Sequence, residues 1–91
     1  MAHFLLEYRY VDQAARMAAR DEHLAYMRRL NAAGSVLLAG PFTDDTGAIV
    51  VYTVPDRAAA QDLVDGDPYT LAGATTGHTL REWQVVVPAQ D

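Results

Sequence analysis

Two stretches of this chain can form helices, and each lies between extended apolar stretches. That alternation restricts the fold more than any other feature of the sequence. Residues 13–33 are rich in Ala, Arg, Met and Leu, contain no Pro or Gly, and stop at Gly34, where a helix C-terminus favours glycine. Tyr26, Met27, Leu30 and Ala33 recur there at helical spacing and mark an inward stripe. Asp12 can cap this stretch, while Asp21 and Glu22 suit a helix start around Arg20. The expectation is therefore a short lead-in turn followed by a main helix. The second stretch opens at Pro55-Asp56 and runs to about residue 64, with Gly66 near its end.

Between and around these lie the strand candidates. Residues 4–11 are rich in aromatics and alternate apolar with polar from Leu6 onward, the pattern of a strand with one wet face. Residues 35–39 read as a buried strand ending at Gly40-Pro41, residues 44–47 as a turn, and residues 48–54 as the next strand. These two pair as a hairpin. Asp67-Pro68-Tyr69 breaks the pattern, residues 71–77 read as loop, and residues 78–87 as the last strand, with Trp83 in core or interface. A tail follows from about residue 88. The order β-α-β-β-α-β is α+β and ferredoxin-like with an antiparallel sheet, in a single domain over 1–91. Both helices cover one sheet face, and nothing is left for the other, so a homodimer is expected.

Composition then narrows the chemistry. Hydrophobic residues make up 51% of the chain and charged residues 21%, which argues against disorder. There is no cysteine, hence no disulfide framework, thiolate nucleophile or cysteine-based metal site. The absence of lysine excludes a Schiff-base amine and a P-loop lysine. Ser35 is the single serine and stands outside any G-x-S-x-G turn. A net charge of −5 disfavours nucleic acid, whose binding draws on phosphate neutralisation. Apolar runs such as 48–54 are too short for a membrane span, and Met1-Ala2-His3 opens no signal-peptide pattern, so a cytoplasmic location is expected. No spacing of metal ligands or cofactor motif stands out; the expectation is no metal and no cofactor.

The topology adds a site. It places Arg20 and His23, Gly40-Pro41-Phe42, Asp67-Pro68-Tyr69 and residues 76–78 at one end of the sheet. A histidine and an aspartate 44 positions apart thus reach the same rim. A neutral imidazole can take a proton from an acidic C–H or O–H, and a carboxylate on its other nitrogen fixes the tautomer. Without that partnership His23 is a solvated helix residue and Asp67 a helix-ending Asp-Pro turn. Arg16 and Arg20 either pair with surface acids or hold an anionic or phenolate oxygen. Gly40 and Pro41 are expected at the pocket floor, the glycine allowing close backbone approach and the proline ending ladder pairing. Tyr69 is expected as pocket wall or core, and His3 and His78 at the surface.

The combination R-x-x-x-R-x-x-H-L (Arg16, Arg20, His23, Leu24), then Leu30, then A-G-P (Ala39, Gly40, Pro41) and D-P-Y-x-x-A-G (Asp67 to Gly73) resembles the YciI-like (YCII-related) family over nearly the whole chain. The resemblance implies a dimeric α+β barrel. It also implies a His23–Asp67 dyad in a pocket lined by Gly40 and Pro41; relatives include an enzyme that removes chloride from chlorinated hydroxyquinols. The chain departs from the family at Gly47-Ala48, where many relatives carry Gly-Ser, and at Ala74-Thr75, where they tend to have a bulkier apolar pair. Together these readings point to a small cofactor-independent enzyme with His23 and Asp67 as catalytic pair and Arg20, Gly40, Pro41 and Tyr69 as ligand-binding residues. Its substrate would be a small cyclic or aromatic molecule, in an isomerase, lyase or dehydrohalogenase type of reaction. The alternatives are a non-catalytic small-molecule-binding module and a structural dimer. An enclosed apolar cavity with His23 and Asp67 in contact favours the enzyme, a shallow wet notch the binding module, and no cavity the structural dimer.

Overall fold

The computed structural model describes residues 1–89. Its elements are β1 (Ala2–Tyr10), α1 (Gln13–Ala32), β2 (Val36–Pro41), β3 (Gly47–Val54), α2 (Arg57–Asp65), α3 (Pro68–Leu71) and β4 (Thr75–Glu82). The strands form one sheet in the order β2-β3-β1-β4, antiparallel at every pairing. This is the expected α+β, ferredoxin-like order, with one short helix added. No helix of the described residues is long and apolar enough to cross a membrane.

Alternation along β1 and β3 sorts the sheet into two faces. Phe4, Leu6 and Tyr8 stand opposite Tyr52, Val50 and Ala48, and directly paired residues share a face. All six are buried in the core cluster with Ala19 and Met27 of α1 and Ala60 and Val64 of α2. The opposite face carries Leu5, Glu7, Ile49 and Val51, paired Leu5 to Val51 and Glu7 to Ile49. At the β1–β3 crossing the strands approach so closely that a Cβ on Gly47 would collide with the Tyr8 carbonyl oxygen. Only glycine fits there.

Helix α1 is continuous, which corrects the expected lead-in turn and later start. Asp12 is the cap, its side chain accepting from the Ala15 N–H at 2.9 Å. Arg16, Ala19, His23 and Met27 recur every three or four residues as its buried face, so the hydrophobic contact runs unbroken through residue 20. Asp21 and Glu22 are exposed on the other side and begin nothing. The helix ends where Gly34 takes a positive φ of 86°, and the Asn31 side chain donates to the Val36 carbonyl at 2.8 Å, tying its last turn to β2.

Three further boundaries differ from expectation. The predicted break at 67–69 is the start of α3, capped by Asp67 and opened by Pro68. Four residues are too few for a periodic signal. Strand β4 begins at Thr75 and ends at Glu82, several residues earlier than the apolar run 85–87 suggested. Trp83 therefore follows the strand rather than sitting within it, and at 44% exposure it is no core residue of this chain. Strand β2 extends through Gly40 to Pro41, still paired with Ala48, so the proline does not end the ladder. It sits on an edge strand, where a missing N–H is tolerated. Of the tail expected from about residue 88, residues 90 and 91 lie outside the described residues.

Candidate active site

His23 lies about three turns into α1, on its buried face, with its ring against the N-terminus of α3. Its Nδ1 is 2.7 Å from Asp67 Oδ1, and both side chains are nearly enclosed, at 8% and 2% residue exposure. The same Oδ1 accepts the Tyr69 backbone N–H at 2.9 Å. Asp67 thus does two jobs with one oxygen: it caps α3 and holds the imidazole. Because it is the N-cap, its position is set by the backbone of the Asp-Pro turn rather than by side-chain rotation alone.

Tyr69 completes the support. Its ring stacks on the imidazole with centroids 3.8 Å apart and planes 6° apart, and meets the Tyr10 ring edge-on at 6.2 Å. Arg16, two helical turns before His23, lays its guanidinium 3.7 Å from the Tyr10 ring centroid. Hence a cation, two phenols and an imidazole form one continuous layered wall.

These groups border a cavity of about 120 Å³ between α1 and the sheet. Arg16, Arg20, His23, Leu24 and Met27 contribute from α1, Tyr8 and Tyr10 from β1, and Ala39, Gly40 and Pro41 from the end of β2; Tyr69 closes it from α3. Asp67 is not part of the lining. It stands behind the imidazole, so with Nδ1 engaged, Nε2 is the ring nitrogen left for the cavity. An acceptor at Asp67 Oδ1 favours the proton on Nδ1 and leaves a lone pair on Nε2.

The phenols nearby stay neutral. Burial pushes the Tyr8 and Tyr52 hydroxyls far above the usual phenol range, and the Asp67 carboxylate adds to the shift. Burial also raises Tyr10, with Arg16 partly opposing it. None of these three can serve as a base near neutral pH; Tyr8 remains a hydroxyl donor at the cavity wall.

All six residues singled out from the sequence are at this end of the fold, but they contribute differently. His23 and Asp67 touch directly. Tyr69 is wall and ring support, and Arg20 is exposed at the rim. Gly40 offers backbone only: it pairs with Ile49, which puts it in phase with the face away from the helices. A Cβ there would meet nothing within 4 Å, so the expected close approach is not its role. Phe42 and residues 76–78 do not line the cavity. His78 is exposed, bonded through Nε2 to Thr75 Oγ1 at 2.8 Å. Tyr8, Tyr10 and Met27 are lining residues not expected from the sequence: the stripe of α1 turns Met27 inward, but the alternation of β1 sets Tyr8 and Tyr10 on one face without saying which face meets the helices.

Comparisons with known proteins bear on the family and the fold. A family model described as the YCII-related domain matches residues 1–84. An uncharacterized protein of Haemophilus influenzae is 37% identical in an alignment over 68 residues, covering 64% of this chain and 69% of that protein. Among solved structures, the chain is similar to 5-chloro-2-hydroxyhydroquinone dehydrochlorinase (TftG) from Burkholderia phenoliruptrix AC1100 in complex with 2,5-dihydroxybenzoquinone. The TM-score is 0.80 at 23% identity, with 97% of this chain and 99% of that one covered. At that identity the likeness concerns the fold.

Proposed function

The chain belongs to the YCII-related domain family, and on that premise we propose that it is a small enzyme in which His23 acts as general base, oriented by Asp67, on a single-ring substrate. The observation that carries this reading is the buried 2.7 Å contact between His23 Nδ1 and Asp67 Oδ1 beside a cavity that Asp67 itself does not enter. A carboxylate behind an imidazole and a cavity in front of it is an arrangement suited to general-base catalysis.

The chemistry follows from the protonation state. Nε2 takes a proton from an acidic O–H or C–H of the substrate. From a C–H, the pair left behind forms a double bond as a leaving group on the adjacent ring carbon departs as its anion; from an O–H, it forms a carbonyl and moves to a ring carbon that takes up a proton, shifting the double bond. The imidazolium so formed is stabilised by Asp67 and by the Tyr69 ring beneath it, and it returns the proton to product or water. No step in this sequence needs a cofactor. The structural neighbour, named as a dehydrochlorinase, supports placing the reaction among isomerase, lyase or dehydrohalogenase types.

Size supports a single ring. An apolar cavity of about 150 Å³ accommodates benzene, so one of about 120 Å³ leaves room for no more than one ring. The working unit is proposed to be a homodimer formed through the sheet face carrying Leu5 and Ile49, both only partly buried within one chain. Light scattering at micromolar concentration tests it: a dimer is expected, and a monomer overturns this part.

The enzymatic reading is tested with purified protein and a panel of quinols, chlorinated hydroxyquinols, lactones and cyclic keto acids, followed by thermal shift and turnover. A ring compound is expected to stabilise the fold and to be converted, with conversion abolished in His23→Ala. Conversion that persists in His23→Ala contradicts it, and so does the absence of any ring ligand.

A further inference from the structure

Arg16 is buried beside the cavity, yet its charge is met from the surface. Its side chain is 9% exposed, while that of its carboxylate partner Asp45 is 62% exposed. Nη1 donates to Asp45 Oδ1 at 2.7 Å and to Gln13 Oε1 at 3.2 Å. Nε is enclosed with no hydrogen-bond partner. The guanidinium lies over the Tyr10 ring, 3.7 Å from its centroid, two turns from His23 on the same helix face, and it borders the same cavity.

The Asp45 side chain takes no part in closing its own turn. It belongs to the β2–β3 turn, and the neighbouring Asp44 holds that turn closed, accepting from Thr46 N at 3.1 Å and Thr46 Oγ1 at 2.7 Å. Asp45 itself takes a positive φ of 65°, a conformation that asparagine or glycine adopts more readily than aspartate. Its carboxylate reaches across to Arg16 and, among the described residues, makes no other hydrogen bond.

A buried guanidinium needs an anion, because removing it from water without one is costly. An exposed carboxylate meets that need weakly, since water competes for it. An anionic oxygen arriving inside the cavity would sit in a drier place and could use the planar donor fork of arginine. We infer that Arg16 holds the anionic oxygen (phenolate, enolate or carboxylate) of the ring substrate, and that Asp45 is its built-in competitor, displaced when the substrate enters. This rests on the reading of the cavity as a ring-binding active site and deepens it. The substrate class becomes an anionic ring compound, and the Asp45 turn becomes the latch that keeps the unoccupied cavity charge-balanced.

The test is calorimetric titration of the full chain with benzoate, its uncharged analogue benzamide, and 2,5-dihydroxybenzoquinone. In Asp45→Asn, which keeps the turn's backbone conformation, benzoate and the dihydroxyquinone should bind about 2–5-fold more tightly, matching the small strength of an exposed ion pair, with benzamide unchanged. In Arg16→Met both anions should lose about tenfold or more, again with benzamide unchanged. Arg16→Lys, which keeps the charge and loses the fork, should fall between and covers the case in which Arg16→Met does not fold. Anion affinity that is equal or weaker in Asp45→Asn overturns the inference, as does anion affinity indifferent to both Arg16 variants or undetectable in wild type and Asp45→Asn alike. Neither measurement uses proton transfer. Arg16-dependent binding that persists in His23→Ala therefore leaves the inference standing without turnover, whereas turnover with anion binding indifferent to Asp45 overturns the inference alone.

Discussion

The imidazole of His23 lies flat on the phenol ring of Tyr69, 3.8 Å between centroids, while the backbone N–H of that same tyrosine shares the Asp67 oxygen that binds the imidazole. One residue thereby fixes the histidine twice, through its ring and through its main chain. The consequence is that the plane and the rotation of the imidazole are both determined by the first turn of α3. A short helix that contributes little apolar burial is in this way the element that aims Nε2.

The dual role of Asp67 makes its substitutions separable. Asp67→Ala removes the α3 cap and leaves the His23 and Tyr69 N–H groups without an acceptor, a loss of about 2–4 kcal/mol. Asp67→Asn keeps a competent cap and should lose about 1 kcal/mol less. Urea denaturation at fixed protein concentration measures both, and an alanine variant within about 0.5 kcal/mol of wild type contradicts the role given to Asp67.

The buried phenols set the alkaline limit of the fold. Tyr8 and Tyr52 hold their protons in the folded state far above the ordinary phenol range, whereas in the unfolded chain they release them near pH 10. The unfolded state therefore binds fewer protons above that pH, and stability falls as pH rises. The stabilisation is complete below about pH 10 and then declines by about 2.7 kcal/mol per pH unit from these two tyrosines alone, with Tyr10 and Tyr26, also raised by burial, steepening the loss. Denaturation curves between pH 8 and 12 should show at least this slope. An ultraviolet titration in which all five tyrosines ionise together near pH 10 in folded protein would falsify it.

At the end of β2, phase decides which substitution reaches the cavity. Ala39 pairs with Val50 on the helix side, and Gly40 pairs with Ile49 on the far side. Ala39→Leu should fill the cavity and abolish ring binding, whereas Gly40→Val should leave ring binding intact and disturb association through the sheet face instead. Thermal shift with a bound ring compound distinguishes them. Equal loss of binding in both variants contradicts the register argument.

The sequence carried the site better than it carried the boundaries, for a physical reason. His23 and Asp67 meet because the β-α-β-β-α-β order brings the middle of α1 and the end of α2 to one end of the sheet, and that order was readable from periodicity. The start of α1 was misread because Asp21 and Glu22 look like first-turn acids, although the buried spacing of Arg16, Ala19 and His23 already ran through them. Helix α3 escaped notice because four residues show no period, even with Asp67 and Pro68 in favourable cap positions. The start of β4 was missed because Thr75, Thr76 and Gly77 look like loop, yet pairing with Tyr10 and Arg9 decides their state. The Arg16–Asp45 contact was invisible for a different reason: nothing local in the turn signals that Asp45 reaches across to α1.

The most direct test of the central claim is the tautomer of His23, read by long-range ¹H–¹⁵N correlation at alkaline pH, where imidazoles are neutral. In wild type the proton should reside on Nδ1, donated to Asp67, with Nε2 unprotonated and free to act as base. In Asp67→Ala nothing accepts from Nδ1, and the proton should move to Nε2, the tautomer an unconstrained imidazole favours, which removes the base. A wild-type His23 protonated on Nε2, or the same tautomer in both proteins, contradicts the account.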